Sequence, residues 1–155
     1  MPKSKSGSLP TKTDQYLEFI RTVHLKGLGM DEANFKIDRA QYSSEFPSPD
    51  KVKAELSGHH EIYDQDASSF IVRGHFKVVV RASSGSEIVD ISCTIGASFA
   101  LDKEAKKASL ERFMQNEARL VFWPYLRHFI ADSTYRMAIY PLVLPLTSEV
   151  PTNQQ

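Results

Sequence analysis

Five histidines, His24, His59, His60, His75 and His128, are the side chains best suited to hold a metal or act as a general base. No two of them have the four-residue spacing that places a pair of imidazoles on one helix face. His59 and His60 are adjacent, and neighbours on a strand point to opposite faces, so they could not share one ion. We therefore expect no metal and read these residues as surface or half-buried histidines. A serine nucleophile would need a sharp elbow of the type Gly-x-Ser-x-Gly, which is absent; Ser84-Gly85-Ser86 falls where a hairpin turn is due. Cys93 alternates with apolar positions and reads as a small buried hydrophobe. Gly27-x-Gly29 is too short for a dinucleotide fingerprint, and no Gly-Lys-Ser or Gly-Lys-Thr phosphate loop occurs. Lys103, Lys106 and Lys107 lie among Glu104 and Glu111, as on a solvated helix face. The expectation is no catalytic centre, no cofactor and no nucleic-acid site.

The elements that must position these residues follow from periodicity. Residues 1–13 are rich in Lys, Ser, Gly and Thr and read as a loose tail, with one domain over 14–146 and a flexible end at 147–155. Leu17, Phe19, Val23 and Leu25 alternate and predict a strand whose end is weakened by Gly27 and Gly29. A short extended element around Phe35 and Ile37 and a connecting segment to Pro49 come next. Three stronger strands follow. The first puts Val52, Ala54, Leu56, His60 and Ile62 on one face, with Gly58 as a candidate bulge. The second aligns Phe70, Val72, Gly74, Phe76, Val78, Val80 and Ala82, and the third Val89, Ile91, Cys93, Ile95, Ala97, Phe99 and Leu101. An antiparallel meander results.

One apolar sheet face needs a cover, and the period switches to 3.6 after Asp102, a candidate N-cap. Leu110, Phe113, Met114, Ala118 and Val121 set the helical stripe, continued by Leu126, Phe129, Ile130 and Met137. Pro124 either kinks one long helix or opens a second, and Asn116 is another candidate cap. Ile139–Leu146 is apolar, but Pro141 and Pro145 forbid helix and central strand, so it should dock in extended form.

The 155 residues suit a single domain, with 41% hydrophobic and 25% charged residues. Nineteen basic residues balance nineteen acidic ones, so no global field draws in nucleic acid or anionic lipid. The single cysteine, the lack of a secretory signal and apolar runs too short to span a bilayer give a soluble, cytoplasmic expectation without membrane insertion.

One segment departs from this pattern. Leu120, Val121, Phe122, Trp123, Tyr125, Leu126, Phe129 and Ile130 surround the helix instead of striping it. One face can meet the sheet, which leaves another for a second subunit, a bound polypeptide or the 139–146 tail.

Phe122-Trp123-Pro124-Tyr125-Leu126-Arg127, followed by Ile130, Arg136 and Tyr140-Pro141-Leu142-Val143-Leu144-Pro145, resembles the helix and proline-rich segment of the SecB chaperone family. Ala82-Ser83-x-Gly85 in a hairpin is also similar. The resemblance implies an α+β subunit, a four-stranded antiparallel β-sheet followed by a long C-terminal helical region, assembled as a homotetramer, a dimer of dimers. It implies a holdase that needs no ATP and binds unfolded or nascent polypeptide in apolar grooves. Phe113, Phe122, Trp123, Tyr125, Phe129, Tyr140, Leu142 and Leu144 would serve client binding or subunit contact.

SecB proper is strongly acidic and meets the SecA motor through acidic residues with a neighbouring leucine. Here the matching hairpin reads Ser84-Gly85-Ser86-Glu87, with serines in place of the family's leucine and first glutamate, and Gly27 stands roughly where the family's strand aspartate would fall. These departures weigh against SecA. Divergent SecB-like chaperones also accompany toxin and antitoxin pairs, so a dedicated antitoxin client is the leading expectation and preprotein export the alternative. An apolar carrier for a lipid or small molecule stands behind both, and a hydrolase built on scattered Ser, His and Asp residues comes last.

Overall fold

The computed structural model describes residues 11–45 and 52–144. Its elements are α1 (Lys12–Ile20), β1 (Val23–Ile37), α2 (Arg39–Glu45), β2 (Val52–Gln65), β3 (Ser69–Ala82), β4 (Glu87–Leu101), α3 (Lys107–Asn116) and α4 (Ala118–Arg136). The four strands form one antiparallel sheet in the order β1-β4-β3-β2, with α3 and α4 on its apolar face. The meander is therefore β2-β3-β4, and β1 closes on β4. Inward positions of the two central strands alternate as the sequence spacing requires, from Phe70 to Ala82 and from Val89 to Leu101, with Val72, Ile95 and Ala97 fully buried.

The first strand is the main correction. Leu17 and Phe19 belong to a helix, not a strand: Tyr16 and Phe19, three apart, are its buried residues, and Leu17 faces outward. A capping box starts it, with Thr11 Oγ1 accepting from Asp14 N and the Asp14 carboxylate accepting from Thr11 N. Thr11 to Thr13, read as tail, are thus cap and first turn; residues 1–10, the end of the expected connecting segment at 46–51, and residues 145–155, with Pro145 and Leu146 of the expected strip, lie outside the described residues. The true β1 runs from Val23 to Ile37, across the region read as bend and connector, and α2 follows it.

Gly58 is not a bulge. It pairs directly with Phe76, whose ring lies over both Gly58 and Gly74; a Cβ at either glycine would come within 2.7 Å of that ring. The shift in β2 lies between Ile62 and Asp64 instead. Gly58→Ala should therefore cost about 2 to 3 kcal/mol, because the buried Phe76 ring is held between His60 and Phe122 and the His75 carbonyl stands 2.9 Å from the new Cβ. Urea melts of the two proteins check this. The Ser83–Ser86 turn is a hairpin, with Gly85 at φ 88 and reciprocal backbone bonds between Ala82 and its far side.

Asp102 does not cap the helix. Its carboxylate meets His24 Nε2 at 2.9 Å, and α3 begins at Lys107. Nor does Pro124 divide the helical region. α3 and α4 meet at Glu117, one residue past Asn116, and Pro124 lies inside α4. Having no N–H, Pro124 leaves the Leu120 carbonyl without its helical donor, which is tolerated because Leu120 is 63% exposed and water can serve. α1 packs across this elbow: Phe19 meets Phe113 edge-on, Tyr16 OH donates to Glu117 Oε1 at 3.4 Å, and the Arg112 guanidinium lies over the Tyr16 ring at 4.0 Å.

Candidate functional site

α4 crosses the sheet from one edge to the other. Near its start, the Phe122 ring stacks on His60 of β2 at 5.3 Å and meets Phe76 of β3 at 6.1 Å. Farther on, Phe129 packs on Phe35 of β1 at 5.8 Å. Its buried residues, Ala118, Phe122, Trp123, Leu126, Ile130, Ser133 and Thr134, form one broad stripe. The apolar excess read from the sequence is thus largely absorbed within one copy: Phe113 and Phe122 are core, and Trp123 is 7% exposed. Tyr125 and Phe129 are half-buried.

The tail absorbs a further share. After α4 the chain turns through Ala138, at φ 54, in a double hydrogen-bonded cap: Ala138 N donates to Tyr135 O and Ile139 N to Thr134 O. Residues 139–144 then run back along α4 as an extended strap. Ile139 and Leu144 are buried and Leu142 half-buried, whereas Tyr140 and Val143 are 70% and 67% exposed. Leu142 N donates to Thr134 Oγ1 at 3.0 Å, and Arg127 Nε donates to Leu144 O at 2.8 Å. α2 holds the near end through Arg39 on Met137 O and Tyr42 OH, which accepts from Tyr140 N. Burying these side chains contributes about 5 kcal/mol and the four bonds about 4 more, against roughly 6 to 9 for ordering the segment, which leaves a net hold on the order of 1 to 2 kcal/mol. The strap is held weakly.

Ala138 occupies the left-handed position that usually takes glycine, at a steric cost of about 1 kcal/mol. Ala138→Gly should recover part of that, raising stability by about 0.5 kcal/mol in thermal melts.

At the elbow, a cleft of about 210 Å³ opens between the helices and β2, lined by Gly58, His60, Phe76, Met114, Arg119 and Trp123. Of the sequence candidates only Trp123 reaches it. Met114 was visible as part of the helical stripe; His60 and Phe76 were placed on the inner face, but nothing in one strand's pattern shows which inner residues the helix leaves uncovered. β2 is a sheet edge, paired only with β3 among the described residues. His60 Nε2 is buried with no hydrogen-bond partner among them.

The outer face of the sheet is polar. Glu61 Oε1 meets His75 Nε2 at 2.9 Å and His75 Nδ1 meets Thr94 Oγ1 at 3.1 Å, a line resembling a general-base relay. Thr94 lies within β4, paired on both sides by β1 and β3, so its strand offers no free backbone N–H to stabilise an oxyanion. The line is a cross-strand polar ladder. Burial pushes the Cys93 thiol up to about 11, far from a reactive thiolate. Among the described residues, no group of three or more His, Cys, Asp or Glu side chains converges to hold a metal, and no helix is long and apolar enough to cross a membrane.

No family model and no curated protein matches the sequence. Solved structures do. The Mycobacterium tuberculosis Rv1957 SecB-like chaperone, in complex with a ChAD peptide from the Rv1956 HigA1 antitoxin, aligns with a TM-score of 0.74 over 87% of this chain and 98% of its own, at 18% identity. A Streptococcus agalactiae protein of unknown function covers 80% of this chain and 97% of its own at 15% identity, with a TM-score of 0.44. With its four-stranded antiparallel sheet crossed by a C-terminal helical pair, this chain has the SecB-like chaperone fold.

Proposed function

We propose that the chain is an ATP-independent holdase that keeps an extended, aggregation-prone polypeptide from collapsing, with an antitoxin as its dedicated client. The observation that carries this reading is the apolar cleft at Trp123 beside the open edge of β2. An extended client can add its backbone to such an edge while a large apolar side chain enters the cleft, so that main-chain bonds give affinity and the cleft gives preference. The fold likeness to a chaperone solved with an antitoxin peptide supports the choice of client. The hairpin favours it over export: Ser84 and Ser86 bond each other at 3.0 Å, a small neutral tip where SecA recognition by the SecB family calls for leucine and acid. Exposed Leu25 and Phe35 on the other edge strand support assembly into a dimer of dimers, and the cytoplasm is the compartment in which such a client is made.

The purified protein, without nucleotide, should slow the aggregation of an unfolded antitoxin at stoichiometric amounts; no slowing ends this reading. Trp123 is the only tryptophan, so client binding should change the intrinsic emission. Met114→Asp at the half-buried mouth of the cleft should weaken client affinity about tenfold, because it places a charge against an apolar ligand.

A further inference from the structure

The strap is gripped at its backbone. Ile139 N is held by Thr134 O, Tyr140 N by Tyr42 OH, Leu142 N by Thr134 Oγ1 and Leu144 O by Arg127 Nε. Any extended segment presents the same groups, so nothing in this polar grip is specific to the strap's sequence. Thr134 is oriented to accept, because its hydroxyl proton goes to Ile130 O at 2.8 Å and leaves the oxygen free for the strap amide. Thr134 and Arg127 are seven residues apart, two helical turns, on one side of α4. Pro141 keeps the strap extended, and Leu142 and Leu144, two apart, both turn inward while Val143 faces out.

We propose that α4 carries a second polypeptide track, whose resident occupant is the chain's own 139–144 segment and whose exchanged occupant is an extended client segment with apolar side chains at alternate positions. The track rests on the holdase reading above and deepens it. The strap stands in for a client when none is bound and leaves when one arrives, hinging at the strained Ala138. A placeholder of this kind lowers the apparent affinity of the track in proportion to the small fraction of time the strap leaves it open, and keeps the flank of α4 at Arg127 and Thr134 covered between clients.

The test uses a fluorescein-labelled peptide copying residues 138–144, titrated by anisotropy into the full chain. Leu142→Asp with Leu144→Asp in the chain unseats the resident strap and should raise affinity for the peptide about tenfold. Adding Thr134→Val, which removes the amide acceptor, should reverse most of that gain. Equal peptide affinity in the wild-type and strap-unseated chains overturns the proposal. Hydrogen exchange on the wild-type chain gives an independent readout that needs no variant. The Leu142 amide should exchange by local opening, faster than amides of β3 and β4, and exchange only through global unfolding also overturns it. Aggregation assays on the same proteins separate the two readings. If the wild-type chain holds the antitoxin but strap and peptide do not compete, the track fails and the holdase stands. If peptide exchange occurs without any holding of the antitoxin, the holdase reading fails.

Discussion

Phe122→Ala lowers the free energy of unfolding by about 3 to 5 kcal/mol, the range for emptying a fully enclosed phenylalanine site. Phe122 is 0% exposed and ties α4 to two strands at once, through the stack on His60 and the edge contact with Phe76. Neither neighbour is free to collapse into the void. His60 is a ring on the sheet edge, and Phe76 is fixed over Gly58 and Gly74, which have no side chains to follow it inward. The loss is a large part of the roughly 5 to 15 kcal/mol that holds an ordinary domain together. Equilibrium urea unfolding followed by circular dichroism should show the midpoint falling sharply with little change in slope. A loss under about 1 kcal/mol would mean that α4 does not lie on β2 as described.

The second large effect is of acid. Burial, then the nearby charges of His59, Arg119 and His75, pushes the His60 imidazole down from 6.5 to about 4. The unfolded chain keeps the ordinary value. Between the two pH values the unfolded state takes up a proton that the folded state refuses, so stability is complete above about pH 6.5, declines as pH falls and levels off below about 4. The total is on the order of 2 kcal/mol, less than the full shift implies because His60 is only half-buried and solvent relaxes around it. His60→Phe keeps a ring between Phe122 and Phe76, removes the unpartnered Nε2 and should abolish this decline. Urea midpoints at about pH 7.5, 5.5 and 4 decide it: wild type and variant should diverge as the pH drops, and parallel curves would sink the assignment. Whatever slope the variant keeps belongs to exposed carboxylates such as Glu61, held low by its hydrogen bond from His75, and Asp66, held low by the Ser68 and Ser69 amides and hydroxyls.

Strands β2, β3 and β4 were legible because their inward residues keep a period of two over long runs. β1 was not, and its two irregularities explain why. Between Leu25 and Gly27 and between Met30 and Glu32 the register slips, so the inward series runs Leu25, Leu28, Met30, Ala33, Phe35, Ile37 and changes phase twice. α1 was lost to a coincidence: Leu17 and Phe19 continue the alternation of Val23 and Leu25, while the sign of a helix lay upstream in the capping box of Thr11 and Asp14. In the site, the sequence led to Trp123 and to a docked tail. The cleft required knowing that the helices part at Glu117 and that Phe76 lays its ring over Gly58 beside them, facts of packing between elements about sixty residues apart.

The clasp between Tyr16 and Glu117 gives α1 leverage on the elbow. Met114 and Arg119, on opposite sides of that joint, are two jaws of one opening, and the brace that sets their angle comes from the far end of the polypeptide. Shortening or tagging the amino terminus so that α1 lifts away would therefore alter how wide the jaws stand, without touching any residue that lines them.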